Sequence, residues 1–212
     1  MMKLNKRGIV ILVFIVLAFL FGVLVATAEY SSKSNNSNNS NNSNKVIYIR
    51  KYDEKAVAWL MKYNDKLSEQ EAIDIYFHVE DTIRRYHEDY NYSCGSTYYV
   101  TPRLFVALIL AESGARSNVV SHAGAIGLTQ VMPLHVNTLH SAGVISEPNA
   151  SELERTNPNI RAGVHILMTY AKGVDTLHRA LARYNAGPGK ERYGNNYARK
   201  VIRLYQKIGG EV

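Results

Sequence analysis

The sequence beyond its first 45 residues predicts an all-α domain. Apolar residues recur there at helical spacing, helix-sized segments are punctuated by Pro, Gly and capping residues, and no stretch alternates regularly enough to require a sheet. The chain has 212 residues, room for one medium domain plus appendages. It shows no internal repeat of solenoid length.

Residues 1–29 read as a signal anchor or signal peptide. Lys3, Lys6 and Arg7 precede an uncharged apolar run from Gly8 to Ala28. About 20 apolar residues suffice to cross a bilayer as a helix. The run exceeds the roughly 7–15 residues of a signal-peptide core, which favours a retained anchor, although Ala26-Thr27-Ala28 has the small-x-small form a signal peptidase accepts. Either way the basic residues stay inside and everything after residue 29 is exported. Residues 30–45 are an Asn/Ser-rich linker; Ser31–Asn44 has no apolar side chain to bury and is expected to be a disordered tether. Its Asn-x-Ser triplets are by-products of the repeat. Cys94 is the single cysteine and cannot form an internal disulfide, so the exported part must be held by its core.

Residues 46–97 read as an N-terminal helical segment ahead of a main domain over 98–212. Val46 to Ile49 is a short strand or an extended lead-in. Ala56, Val57, Trp59, Leu60 and Tyr63 predict a helix over 53–63. Ser68 followed by Glu71 is a capping box, and Ala72, Ile75, Tyr76, Val79 and Ile83 continue one stripe to about His87. The polar, tyrosine-rich stretch 89–99 reads as a loop. Thr101-Pro102 opens a helix that carries LFVALILAE, 104–112. The apolar run alone also suits a buried strand; its start and its Leu/Ala content favour helix. Gly124 to Met132 is compatible with a short helix ended by Pro133, and Val136 to Ala142 with another stopped by Gly143. Asn157-Pro158 opens the next, with Ile160, Val164, Leu167 and Met168 as its buried stripe. Helices over 176–184 and from Tyr197 to about Ile208 follow, joined by the loop NAGPGKERYGN.

Formal net charge is +7, unevenly placed: from Arg155 onward eleven Lys and Arg face three acids. Such a basic third suits an anionic polymer, which on the exported side means cell wall or nucleic acid. No aromatic-basic surface pattern supports specific nucleic-acid binding. Histidines 122, 135, 140, 165 and 178 contain no pair four apart on one helix, so no metal is expected.

Glu112 stands at the end of the most apolar segment beyond the leader, and no other acid occurs between Asp89 and Glu147. A poorly solvated carboxyl has a raised pKa and can donate a proton to a leaving group. The run alone leaves open a carboxylate that simply faces water.

The residues after it carry more. From Glu112 the chain reads ESGARSNVVSHAGAIGLTQVMP. Glu112, Ser113, Ser121, Gly124, Ala125, Gly127, Leu128, Gln130, Met132 and Pro133 resemble, without a gap, the first block of the soluble lytic transglycosylase family of bacterial cell-wall enzymes. A second block is present in shortened form over residues 157–163, NPNIRAG. A third runs over residues 182–189, ARYNAGPG, and the closing Tyr-x-x-x-V is matched by Tyr197 and Val201. The resemblance covers roughly residues 98–206. Ala115, Ser117 and Thr129 depart from the family's usual residues, which bears on substrate detail more than on the reaction.

The resemblance implies a lysozyme-like multi-helix fold with a groove for peptidoglycan glycan strands. It implies cleavage of the MurNAc-GlcNAc β-1,4 bond without water, giving 1,6-anhydroMurNAc ends, and no cofactor. Glu112 would be the catalytic acid and then base, the substrate supplying the nucleophile. Ser121, Gln130, Tyr184 and Asn185 would contact substrate, while Met132 and Tyr197 are equally groove wall or core. The expected setting is the periplasmic side of the inner membrane, as a monomer, with a cell-envelope assembly as a conceivable partner. A hydrolytic lysozyme on the same fold would need a second acid, and a wall-binding module without catalysis would not need Glu112.

Overall fold

The computed structural model describes residues 50–90 and 100–211. The apolar leader, the Asn/Ser tether, residues 46–49 and Cys94 lie outside the described residues. Among those described, no helix is long and apolar enough to cross a membrane.

Among the described residues seven α-helices follow one another: α1 (Glu54–Tyr63), α2 (Glu69–Tyr90), α3 (Pro102–Glu112), α4 (Val136–Ser141), α5 (Thr156–Ala171), α6 (Leu177–Ala186) and α7 (Glu191–Ile208). Short 3-10 turns over Pro133–His135 and Ala150–Glu154 flank the segment around α4. The local signals act as expected. The Asp53 carboxylate caps α1 by accepting from Lys55 and Ala56 N–H. At α2 the Ser68 N–H donates to Glu71 Oε2 at 2.9 Å and Glu71 N–H returns to Ser68 Oγ at 3.3 Å, a closed capping box. Thr101 Oγ1 accepts from Leu104 N–H, and Pro102 occupies the first position of α3, where no N–H is needed.

Helix α3 is buried on every side, all eight residues from Leu104 to Ala111 lying in the core. It is wrapped by α1, α2 and α7; α7 packs on α6, α6 on α5, and α5 back on α2. A helix hydrophobic all round has no solvent face, which accounts for the unbroken run in the sequence. A second, smaller apolar cluster forms around Ile126, Val131, Leu139, Ile145 and Leu153. Helix α5 serves both: Ile160, Val164, Leu167 and Met168 face the main core, Ala162 and Ile166 the smaller one. Tyr184 packs against both clusters and marks the seam between them.

Two expectations are corrected. Gly124–Met132 is not a helix but a tight loop of turns, with isolated antiparallel bridges pairing Val120 with Ile126 and Ile126 with Val131. Its Gly124, Gly127 and Gln130 have φ of +84°, +76° and +50°, left-handed values that an α-helix cannot contain. Pro133 therefore opens a 3-10 turn rather than ending a helix. The last helix starts at Glu191, six residues before Tyr197, because Gly194 lets its first turns press against α6. A Cβ there would lie 2.2 Å from the Ala182 carbonyl oxygen.

Candidate active site

Glu112 ends α3 at the point where the chain turns back on itself. Ser113 caps the helix, its N–H bonded to Ile109 O at 3.0 Å, and Gly114 and Ala115 both take φ of +61°. A non-glycine residue in that region is strained, and the turn is held from outside: Asn64, just past α1, donates its side-chain amide to Ala115 O at 2.9 Å. Ala115 is itself fully buried, so its small side chain fits where a larger one would not.

Burial is the main influence on Glu112 and raises its pKa from 4.5 to about 7. The Tyr197 hydroxyl and the Lys200 ammonium, both from α7, pull the other way. Among the described residues no second carboxylate acts on it. Lys200 Nζ donates to Ala111 O, the carbonyl just before the acid, at 2.6 Å. The Tyr197 hydroxyl is shielded from solvent and makes no hydrogen bond of full geometry, yet lies near enough to the Glu112 carboxyl to stabilise its charged form.

The rings of Tyr184 and Tyr197 stack with centroids 6.5 Å apart and planes 14° from parallel. Burial, and next the nearby Glu112 charge, push both phenols well above 10, so both are neutral at any working pH. Tyr184 donates its hydroxyl to Thr129 O at 2.8 Å, tying α6 to the loop that carries Gln130.

That loop is held by Asn159 on α5, a residue sequence reasoning did not single out. Asn159 is 1% exposed; its Oδ1 accepts from Thr129 N–H at 2.9 Å, and its amide donates to Ile126 O and Leu153 O at 2.9 and 2.8 Å. A Cβ on Gly163, one turn further on, would sit 2.7 Å from the Thr129 side chain. The shortened second block thus positions the first, and its N-x-x-x-G spacing was the available signal.

The expected site residues divide into three groups. Glu112, Tyr184 and Tyr197 come together. Ser121 and Gln130 lie on the loop and are engaged in its own bonds. Ser121 Oγ accepts from Ala125 N–H at 3.0 Å, and Gln130 Nε2 donates to Val119 O and Gly127 O at 3.2 and 2.9 Å. This leaves the Ser121 hydroxyl proton and the Gln130 side-chain oxygen for other partners. Met132 is half-buried at the start of the first 3-10 turn, and Asn185 is exposed on α6. No hydrogen bond ties Met132 or Asn185 to Glu112 among the described residues. Lys200 was also missed. Two clefts, of about 440 and 400 Å³, are lined by other residues, the larger by Arg85 and Arg161 among others and the smaller by Arg103 and Tyr205.

The family model for the transglycosylase SLT domain matches residues 89–205, more than half of the chain. Over 81 residues the chain is 36% identical to an endo-type membrane-bound lytic murein transglycosylase A from Klebsiella pneumoniae, covering 37% of this chain and 40% of that protein. The enzyme of the same name from Cronobacter sakazakii is 33% identical over 82 residues, covering 38% and 40%. The chain therefore spans about two-fifths of the length of these curated relatives. Among solved structures, the 70 kDa soluble lytic transglycosylase of Escherichia coli aligns with 72% of this chain and 26% of its own, at 21% identity and a TM-score of 0.44. With Tyr184 and Tyr197 from two of its later sequence blocks brought to the partly buried Glu112 of the first, and more than half its length matched by the family model, the chain belongs to the transglycosylase SLT domain family.

Proposed function

We propose that this chain is a peptidoglycan lytic transglycosylase in which Glu112 performs both proton transfers. The observation that carries the reading is a single, partly buried carboxyl at the end of the core helix, pushed up to about 7 by desolvation, with no second carboxylate acting on it among the described residues. An acid poised near neutrality is half protonated there, so both the donor and the acceptor form are within reach. In the first step the protonated Glu112 gives its proton to the glycosidic oxygen between MurNAc and GlcNAc, and the bond to the MurNAc C1 breaks. The 2-acetamido group of the sugar stabilises the electron-poor C1. In the second step Glu112, now a carboxylate, takes the proton of the sugar's C6 hydroxyl, whose oxygen closes on C1. The product is a 1,6-anhydro ring, no water is consumed, and Glu112 ends protonated as it began.

The remaining roles follow from the groups left free. Ser121 donates its hydroxyl proton and Gln130 offers its side-chain oxygen to sugar hydroxyls. Tyr184 and Tyr197 supply the dry wall beside Glu112, with Met132 and Asn185 further along the groove. Exposed Arg192, Arg199, Arg203 and Lys207 on α7 suit the anionic stems of the wall polymer. The proposed setting is the exported face of a bacterial inner membrane, with residues 1–29 as anchor or signal and 30–45 as tether. Residues 98–212 form the catalytic domain, working as a monomer or docked to an envelope assembly through 46–97. Digestion of purified murein followed by mass spectrometry tests the reading. Anhydro-muropeptides that vanish in Glu112→Gln support it; hydrated ends, one water heavier, assign a hydrolytic lysozyme instead.

A further inference from the structure

We propose that Lys200 is a positioning residue for Glu112: its ammonium, anchored on the carbonyl one residue before the acid, holds a positive charge beside that carboxyl through both proton transfers. The Ala111 carbonyl is among the last four of α3, which a helix cannot satisfy from within. The reversal at Gly114 and Ala115 turns the following N–H groups away, and α7 supplies the missing donor at 2.6 Å. A cation at a helix C-terminus also meets the negative end of the helix dipole. Tyr197 and Lys200 are three apart on α7 and so share a face, which brings a hydroxyl and an ammonium to one carboxyl.

The groups facing Glu112 are Tyr197 and Lys200 from α7 and Tyr184 from α6. The tyrosines stay neutral, so among the described residues Lys200 is the charged group that acts on the acid. Burial favours the protonated form that the first transfer needs; Lys200 favours the carboxylate that the second needs. Without that charge, burial is opposed by the Tyr197 hydroxyl alone, and the acid holds its proton more tightly, a poorer donor to the glycosidic oxygen in the first transfer. The consequence for turnover rests on the lytic reading above, whereas the electrostatic claim concerns the free protein.

The test is an NMR titration of the Glu112 carboxyl in the full chain without substrate, in the parent and in Lys200→Met, Lys200→Gln and Lys200→Arg. Lys200→Met and Lys200→Gln should raise the midpoint by about half a unit or more, and Lys200→Arg should leave it near that of the parent. Gln retains a donor for Ala111 O but carries no charge, so it separates anchoring from electrostatics. Midpoints unchanged in both neutral variants would overturn the proposal, as would a Gln variant matching the parent while Met does not. The alkaline limb of the rate profile should move upward with the midpoint, a change that a merely structural lysine would not produce. Because the titration needs no turnover, it decides the role of Lys200 even where product analysis refutes the lytic reading.

Discussion

A carboxyl that titrates near 7 in the fold and near 4.5 in the unfolded chain makes stability depend on pH with a definite sign. Between those values the folded state keeps a proton that the unfolded state has released, so stability falls as pH rises through the window. The shift corresponds to a cost on the order of 3 kcal/mol once pH is well above 7. Glu112→Gln should therefore be more stable than the parent at pH 8 in urea denaturation, with the advantage shrinking toward pH 4.5. Its activity should drop roughly 10²–10⁴-fold, the usual worth of a general acid. In the parent, turnover should decline on the alkaline side of about 7 as the acid form is lost, which a pH–rate profile reads directly. Tyr184→Phe leaves the Thr129 carbonyl without its donor and should cost about 1–3 kcal/mol in thermal unfolding. Glu112 could be suspected from its own neighbourhood, an apolar run ending in an isolated acid. Lys200 could not, and Asn159 only through the N-x-x-x-G spacing of its block, because their partners lie 89 and 30 residues away and only the tertiary fold brings them together.

At the scale of elements, helices with strong local signals were legible. The Ser68/Glu71 box, the Thr101-Pro102 start and the stripe of α5 each act through neighbours within a turn or two, so sequence alone contains them. The loop over Gly124–Met132 was misread because Ala, Leu and Gln are good helix formers, and nothing local shows that Gln130 must take a left-handed φ. Its conformation is imposed by Asn159 and by the close approach of Gly163 to Thr129. The early start of α7 was hidden for the opposite reason. Gly194, Asn195 and Asn196 are weak helix formers, and packing against α6 outweighs their propensity. Gly194→Ala should accordingly destabilise the protein by about 1–3 kcal/mol in thermal denaturation, although Ala is the better helix former, since its Cβ would collide with the Ala182 backbone.

For the molecule as a whole, the described residues from Tyr52 onward form one compact unit in which α1 and α2, largely beyond the matched family region, share a core with α3. The all-helical class was readable because it is the sum of local periodicities. The two-cluster arrangement was not, since it depends on which face of α5 meets which partner. The seam of those clusters, marked by Tyr184, is where an acid can be dry enough to hold its proton and still border solvent. The central claim is that this acid serves a reaction that consumes no water. Digestion of murein in heavy-oxygen water tests it most directly, wild type beside Glu112→Gln. Anhydro ends that carry no heavy oxygen are expected, with product from the variant reduced roughly 10²–10⁴-fold; one heavy oxygen at each new muramic end would rule out the lytic route.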